Sequence, residues 1–327
     1  MHPYILLYKT LLPGKYRHYI QLAQGNVNKC HETLLHGTFY EEYDLYHFAA
    51  LSEPERRTYL TDAVRNKICR RVNSRNGERI VHNKWLTYQC LKPFYHRMVW
   101  RLSSVDDITA ILHSGADIRQ LVAKPTNQCG GRGIRLLVSC DATECRHTLD
   151  TLLHSESGQH PEWIIEQRIV QDERLALWNP DSVNTIRVNT FHHNGTIRHF
   201  TSFIRTGRKG SFVDNGAQGG LFASIDDTTG VIFTDGYDER GQRHPSHPDS
   251  QVPFLGQSIP RWDELMRLTE DMALRMPSMT YIGWDLALTP DGWEPVEANR
   301  GEFVAQQMTQ GRGLRKEFEK MCGLGKE

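Results

Sequence analysis

The sequence predicts an α+β protein, and three observations predict it. Residues 1 to about 97 carry mainly helical signals. From about residue 98, short apolar runs alternate with glycine, Asn-Gly and Pro-Asp-Gly turns, the texture of antiparallel hairpins. Between the hairpins lie isolated stretches of helical periodicity, as expected for helices packed on sheets. A chain of 327 residues is long enough for two or three compact domains. The expected organisation is a helical region 1–97, a smaller α+β unit 98–168 with a glycine-rich flap, and a larger unit 169–327.

Lysine plus arginine equals aspartate plus glutamate, at 39 each, so no global field favours nucleic acid or an acidic membrane surface. No apolar run reaches the length of a membrane span. The start lacks a long apolar segment followed by a small-residue cleavage site, so no signal peptide is expected. Seven cysteines are scattered without a CxxC pair, which indicates neither a disulfide scaffold nor a structural zinc site. Cys140, Cys145 and His147 read as thiols and a histidine at a strand end and a helix start. His244-Pro-Ser-His247 reads as a solvated loop. A cytoplasmic location is the expectation.

Ser52-Glu53-Pro54-Glu55 is a helix start with a serine cap, a proline in the first turn and acids against the helix dipole. The stretch to Arg71 carries Tyr59, Leu60, Ala63, Val64 and Ile68 at helical spacing. Leu121 to Lys124 and Ile134 to Val138 read as strands around the turn Asn127 to Gly133. A helix is expected around 145–154 and a strand over Trp163 to Val170. Val183 to His193 and Thr196 to Thr206 form a hairpin around Asn194-Gly195, a pair that accepts the positive φ of a type I′ turn. Phe222 to Ile225 and Val231 to Phe233 suggest another. Residues 261–276 form an amphipathic helix with Trp262, Leu265, Met266, Met272 and Met276 on one side. Tyr281 to Thr289 and Trp293 to Asn299 are strands around Pro290-Asp291-Gly292.

That last hairpin carries the most chemistry. Alternation sends Ile282, Trp284, Leu286 and Leu288 to the core and Asp285 to the opposite face. Glu297 and Asn299 share one parity. If Pro290, Asp291 and Gly292 form a three-residue loop, 289 pairs with 293 and 285 falls opposite 297. Like charges directly opposite are destabilising. Either a magnesium ion bound between them removes the penalty, or both acids face water on an edge hairpin. Aspartate, glutamate and asparagine are all hard oxygen donors.

Lys124-Pro-Thr-Asn-Gln-Cys-Gly130-Gly131-Arg132-Gly133 has glycines that permit close backbone approach to phosphates. It is not a P-loop, because the lysine precedes the glycines and a strand follows them. It reads as a flap with Lys124 as a point charge on the incoming strand. Lys84, within Asn83-Lys84-Trp85, has no distinguishing feature by itself.

Taken in order, the pieces resemble the ATP-grasp superfamily and, within it, the sugar-transfer-associated ATP-grasp family. The resemblance runs from about residue 40 to the end. It rests on Glu41-Glu42-Tyr43, Asn83-Lys84, the Lys124 to Gly133 segment and Ile165-Glu166-Gln167. It continues through Ser182 to Val188 with Arg187, Val213-Asp214-Asn215 to Gly219-Gly220, Ile282-Gly-Trp-Asp285 and Glu297-Ala-Asn299. It implies two α+β subdomains clamping ATP, with 98–168 as the lid. Many relatives begin with a Rossmann-like domain, whereas this start reads as helical.

The resemblance implies roles for individual residues. Lys84 and Lys124 contact the α- and β-phosphates, under a loop containing Gly130, Gly131 and Gly133. Glu166, Gln167 and Ile169 lie in the segment around the adenine, and Asp172 or Glu173 binds the ribose. Arg187 stabilises the transferred phosphate or its acceptor, and Asp285, Glu297 and Asn299 hold two Mg2+ ions. The implied reaction joins a carboxylate to an amine through an acyl phosphate, with a sugar acid and an amino acid as the expected partners. The segment with Arg205, Arg208, Lys209, Asp214, Asn215, Gly219 and Gly220 is expected to meet the second substrate. Two other readings keep the same ATP site: a phosphotransferase acting on a hydroxyl, and a nucleotide-binding protein without turnover.

Overall fold

The computed structural model describes residues 2–128, 131–154, 162–211, 214, 219–301 and 303–324. Eight short helices come first: α1 (Pro3–Leu11), α2 (Pro13–Leu22), α3 (Val27–His36), α4 (Tyr40–Leu45), α5 (Glu53–Arg56), α6 (Asp62–Val72), α7 (Arg75–Val81) and α8 (Lys84–Leu91). Their ends follow the local sequence. Asn26 accepts the Lys29 amide at 3.0 Å to open α3, and Gly37, at φ 70°, closes it. Ser52 caps α5 as expected, but α5 stops at Arg56 and a new helix starts at Asp62, so the helix expected to run on to Arg71 is broken. The reason is Glu42. Its buried carboxylate accepts the Phe39 amide at 3.0 Å and the Asp62 amide at 2.7 Å, which fixes a helix start at Asp62.

A four-stranded antiparallel sheet follows, built from β1 (Val99–Leu102), β2 (Gln120–Pro125), β3 (Arg135–Val138) and β4 (Trp163–Gln167) in the order β1-β4-β2-β3. Helices α9 (Val105–Leu112) and α10 (Ala142–Leu153) cover one face. There Ile108, Ile111, Leu149 and Leu152 pack against Leu121, Ala123, Trp163 and Ile165. The strand expected to reach Val170 ends at Gln167, and the chain then runs along the rim of the cavity described below.

After the short helix α11 (Glu173–Ala176), an eight-stranded sheet forms. Its members are β5 (Thr185–His193), β6 (Thr196–His199), β7 (Phe203–Thr206), β8 (Leu221–Ser224), β9 (Gly236–Asp238), β10 (Arg243–His244), β11 (Tyr281–Thr289) and β12 (Gly292–Asn299). The order is β10-β9-β8-β7-β5-β11-β12, with β6 paired to β5. The β5–β6 turn is Asn194-Gly195 with φ of 50° and 76°, the two positive angles the pair was read to adopt. The core on one face holds Ile282, Trp284, Leu286 and Leu288 of β11 with Leu265, Met272 and Met276 of α12 (Trp262–Leu274) or just beyond it. The opposite face packs Phe191 and Tyr281 against Phe303 and Phe318, the latter on α14 (Arg315–Met321), which follows α13 (Val304–Gln310). His247, read as part of a solvated loop, is fully buried. Its ring satisfies buried backbone groups: Nε2 donates to the Gly207 carbonyl at 2.9 Å, and Nδ1 accepts the Asp249 amide at 3.3 Å.

The fold makes Glu42 a measurable joint. Glu42→Ala deprives two amides of their acceptor and should cost about 1–3 kcal/mol, against almost nothing for exposed Glu41→Ala. Burial pushes the Glu42 carboxyl up to about 7 from 4.5, so the folded chain binds the extra proton and stability falls as pH rises through that interval. Urea unfolding at pH 5 and at pH 8 should therefore show the larger wild-type advantage over Glu42→Ala at pH 5.

Candidate active site between the two sheets

A cavity of about 1410 Å³ lies between the two sheets. The small sheet lines it with Val122, Lys124 and Glu166, the large sheet with Arg187, Arg205, Asp285, Glu297 and Asn299, and the helical region with Arg65, His82 and Lys84. Residues far apart in the sequence thus meet in one space.

The β11–β12 hairpin sets the acids. Its loop is tighter than expected: Thr289 pairs with Gly292 and Leu288 with Trp293, leaving Pro290 and Asp291 as a two-residue turn. In a regular ladder that register would set Val296 opposite Asp285 and turn Glu297 to the face of Trp284. A β-bulge between Asp285 and Leu286 absorbs one residue of β12, and Asp285 comes opposite Glu297 after all. The expected pairing is met, but by a bulge instead of a three-residue loop. Gly283 makes room beside it, since a Cβ there would lie 3.1 Å from Asn189 Oδ1 and 3.2 Å from Asn299 Oδ1.

Asp285 is 1% exposed and saturated with donors. Arg187, its cross-strand neighbour on β5, holds it through Nε and through Nη2 at 3.0 Å. Arg205 Nη2 lies 2.9 Å from Oδ2, and Asn299 Nδ2 donates to the same oxygen at 3.3 Å. Burial pushes this carboxyl up, but the two guanidiniums outweigh it and hold it below the ordinary carboxylate range. Asp214 is held by the Thr185 hydroxyl and lies 3.5 Å from Arg205 Nε. Burial raises its pKa, and Asp285 nearby adds to the rise.

Lys84 is placed by its neighbour. Asn83 caps α8 by accepting the Leu86 amide at 3.0 Å, which makes Lys84 the first helical residue, and the Lys84 amide donates to Thr126 at 2.9 Å. Its ammonium lies 2.8 Å from Glu297 and also donates to the Gln128 carbonyl. Lys124 sits on β2 with Nζ 2.9 Å from Glu166. Glu166 is 3% exposed. Burial pushes its carboxyl up, and Arg97 and Lys124 more than reverse that.

Arg97 is the residue that sequence reasoning missed. Its Nε donates to Glu166 at 2.9 Å, and its Nη1 donates to Glu294 at 2.8 Å and to the Pro295 carbonyl at 2.9 Å. One guanidinium therefore ties the small sheet to the large one, 4.6 Å above the Tyr95 ring. Nothing in Tyr95-His96-Arg97 signals this; both carboxylate partners arrive from distant strands. Arg65, 7% exposed on α6, was likewise unmarked.

The other expected residues divide between the cavity wall and other parts of the fold. Gln167 and Ile169 line the cavity, although the Gln167 amide is committed to the Met98 carbonyl at 3.0 Å. Gly131 lines it and Gly133 packs under Pro125. Gly130 and Asn215 lie outside the described residues. Asp172 is not at the cavity: it caps α11 and grips Arg174 through two 2.8 Å bonds, and Glu173 is the first residue of that helix. Lys209 is exposed, with its amide bound to Asp249 at 2.9 Å, and Arg208 grips the same carboxylate. Gly219 and Gly220 also lie off the cavity wall, so of that segment's cations only Arg205 reaches the site.

With this geometry in view, the sequence profile of the sugar-transfer associated ATP-grasp family matches residues 63–323. The chain belongs to that family. A search of curated proteins by sequence gave no match. Among solved structures, phosphoribosylamine–glycine ligase from Thermotoga maritima aligns over 78% of this chain and 57% of its own, with a TM-score of 0.52 and 10% identity. A D-Ala:D-Ser ligase from Enterococcus faecalis aligns over 77% and 64%, with a TM-score of 0.49 and 10% identity. This ATP-grasp chain thus spans less than two thirds of either protein, and at 10% identity the likeness to the phosphoribosylamine–glycine ligase is one of fold alone.

Arg97 gives a direct test of the bridge. Arg97→Ala leaves Glu166 and Glu294 buried without their shared cation and should lower stability by about 3–5 kcal/mol in chemical denaturation. Arg97→Lys should recover only part of it, because one ammonium cannot reproduce the forked geometry.

Proposed function

We propose that this ATP-grasp protein is an ATP-dependent ligase that joins a carboxylate to an amine through an acyl phosphate. The observation that carries the reading is the single cavity in which Lys84 and Lys124 share walls with Asp285, Glu297 and Asn299. Its volume of about 1410 Å³ exceeds the roughly 300–1,000 Å³ of an ordinary small-ligand pocket, which leaves space for a nucleotide and a second substrate together. The four-stranded and eight-stranded sheets would be the two jaws, with the division proposed at residue 168.

The donor set fits Mg2+: two carboxylates and a carboxamide offer hard oxygens, and magnesium takes few protein ligands beside phosphates and water. Asp285, Glu297 and Asn299 would hold it, and when bound it would neutralise phosphate charge. These carboxylates now neutralise Arg187, Arg205 and Lys84. With Mg2+ and a triphosphate bound, the same carboxylates would serve the metal and the freed cations would face phosphate. Asp285 is ready for it, because its low pKa keeps it ionised at neutral pH.

Phosphoryl transfer asks for positioning and charge neutralisation rather than a protein nucleophile. Lys84 and Lys124 would hold the phosphates that leave with ADP, and Arg187 would face the phosphoryl group in flight. A substrate carboxylate oxygen attacks the γ-phosphorus and ADP departs. The amine then attacks the acyl carbon, phosphate leaves, and the nitrogen gives up a proton. Arg205, beside Asp214 and Asp285, would grip the carboxylate. The proposed pair is a sugar acid and an amino acid, in polysaccharide assembly, and the family's association with sugar transfer supports the sugar half alone.

An ADP-release screen of sugar acids against amino acids, with mass spectrometry of products, tests the reading. An amide with inorganic phosphate supports it, and a stable phosphoester would show a kinase instead. Glu297→Gln is the cleaner probe of the metal set, because Glu297 is partly exposed and has one lysine partner, whereas Asp285→Asn also unbalances buried Arg187 and half-buried Arg205. It should cut ADP release by roughly 10²–10³-fold with the melting temperature nearly unchanged.

A further inference from the structure

The chain's charge balance hides a local imbalance. Residues 1–31 hold Lys9, Lys15, Arg17 and Lys29 and no acidic residue, and the first acid is Glu32. Lys29 is paired with Asp44, which leaves the three cations nearest the α1–α2 turn. Six of the sixteen exposed large apolar side chains among the described residues also fall between positions 4 and 22.

The two features meet at that turn. Leu11 is 66% exposed and Leu12 42%, while Leu7, one turn earlier on the same face of α1, is 50% exposed. Pro13, Gly14 and Lys15, which follow, are exposed as well. The turn is ordered: the Leu12 amide donates to the Tyr8 carbonyl at 3.0 Å and the Tyr16 amide to the Leu12 carbonyl at 2.9 Å. Folding uses other side chains. Ile5 is fully buried, Tyr8 meets Tyr19 edge-on at 6.3 Å, and Tyr16 bonds His31 at 2.7 Å. The outward leucines are therefore surplus to the helical packing. The whole hairpin precedes residue 63, where the family match begins.

We propose that the α1–α2 turn docks on an anionic lipid surface, with Leu7, Leu11 and Leu12 entering the headgroup boundary and Lys9, Lys15 and Arg17 meeting lipid phosphates. A cation-flanked apolar tip is the composition of interfacial membrane segments. A second copy of the chain is a poorer occupant, because it would bring three cations against three with no acid on either hairpin to pair them. The proposal is independent of the reaction assigned to the cavity.

Flotation of the full chain with lipid vesicles tests it. Binding to vesicles holding about one third phosphatidylserine should exceed binding to pure phosphatidylcholine by roughly tenfold or more and weaken in high salt. Leu11→Ser with Leu12→Ser should abolish it, and Lys15→Gln with Arg17→Gln should remove its dependence on anionic lipid. Circular dichroism and ATP affinity should be unchanged in both variants, since none of these residues touches the cavity. No flotation with any vesicle, or equal flotation of the leucine variant and wild type, overturns the proposal. So does light scattering that finds a dimer dispersed by the leucine variant in the absence of vesicle binding.

Discussion

An ionised carboxylate out of water must bring positive charge with it, and the large sheet is organised around that requirement at Asp285. Arg187 comes from the adjoining strand and Arg205 from the strand beyond, so three strands are committed to one ion cluster. Asn299 reaches the same oxygen only because Gly283 clears the space, and Glu297 stands opposite only because β12 carries a bulge. Buried ion clusters are weak sources of stability but strong specifiers of geometry in some proteins. Here the cluster fixes the positions of the charged groups that a triphosphate would meet.

The two sheets have separate cores, linked by apolar contacts through α8 and Tyr95 and, at the cavity, by charge. Arg97 spans Glu166 and Glu294, and Lys84 links α8, the segment after β2 and the β12 carboxylate. Polar joints of this kind exchange partners when a competing charge arrives, which apolar interlocks do not. The helical region supplies Lys84, Arg65 and His82 to the cavity wall. Its far end has another character, cationic and apolar at an exposed turn.

Much of this was legible in the sequence, because periodicity and turn chemistry act locally. The Asn194-Gly195 hairpin, the amphipathic α12, the alternation that sends Trp284 inward and Asp285 away, and the capped start before Glu53 all follow from neighbours a few residues apart. The order of lysines, glycine segment and terminal acids was enough to point to the fold, since each motif carries its own backbone demand.

What the sequence could not decide was anything set by partners from distant strands. The bulge at Val296 depends on how β12 must sit beside Asp285, and so a shorter loop and an extra residue reproduced the pairing that a longer loop would have given. Asp172 was spent on capping α11 and on Arg174, and Lys209 was carried away by the grip of Asp249 on its loop, although both lie close in sequence to cavity residues. Arg97 carries no mark of its role because its meaning lies in two carboxylates 69 and 197 positions away. Local chemistry wrote the elements; charge compensation across the chain chose which side chains face one another.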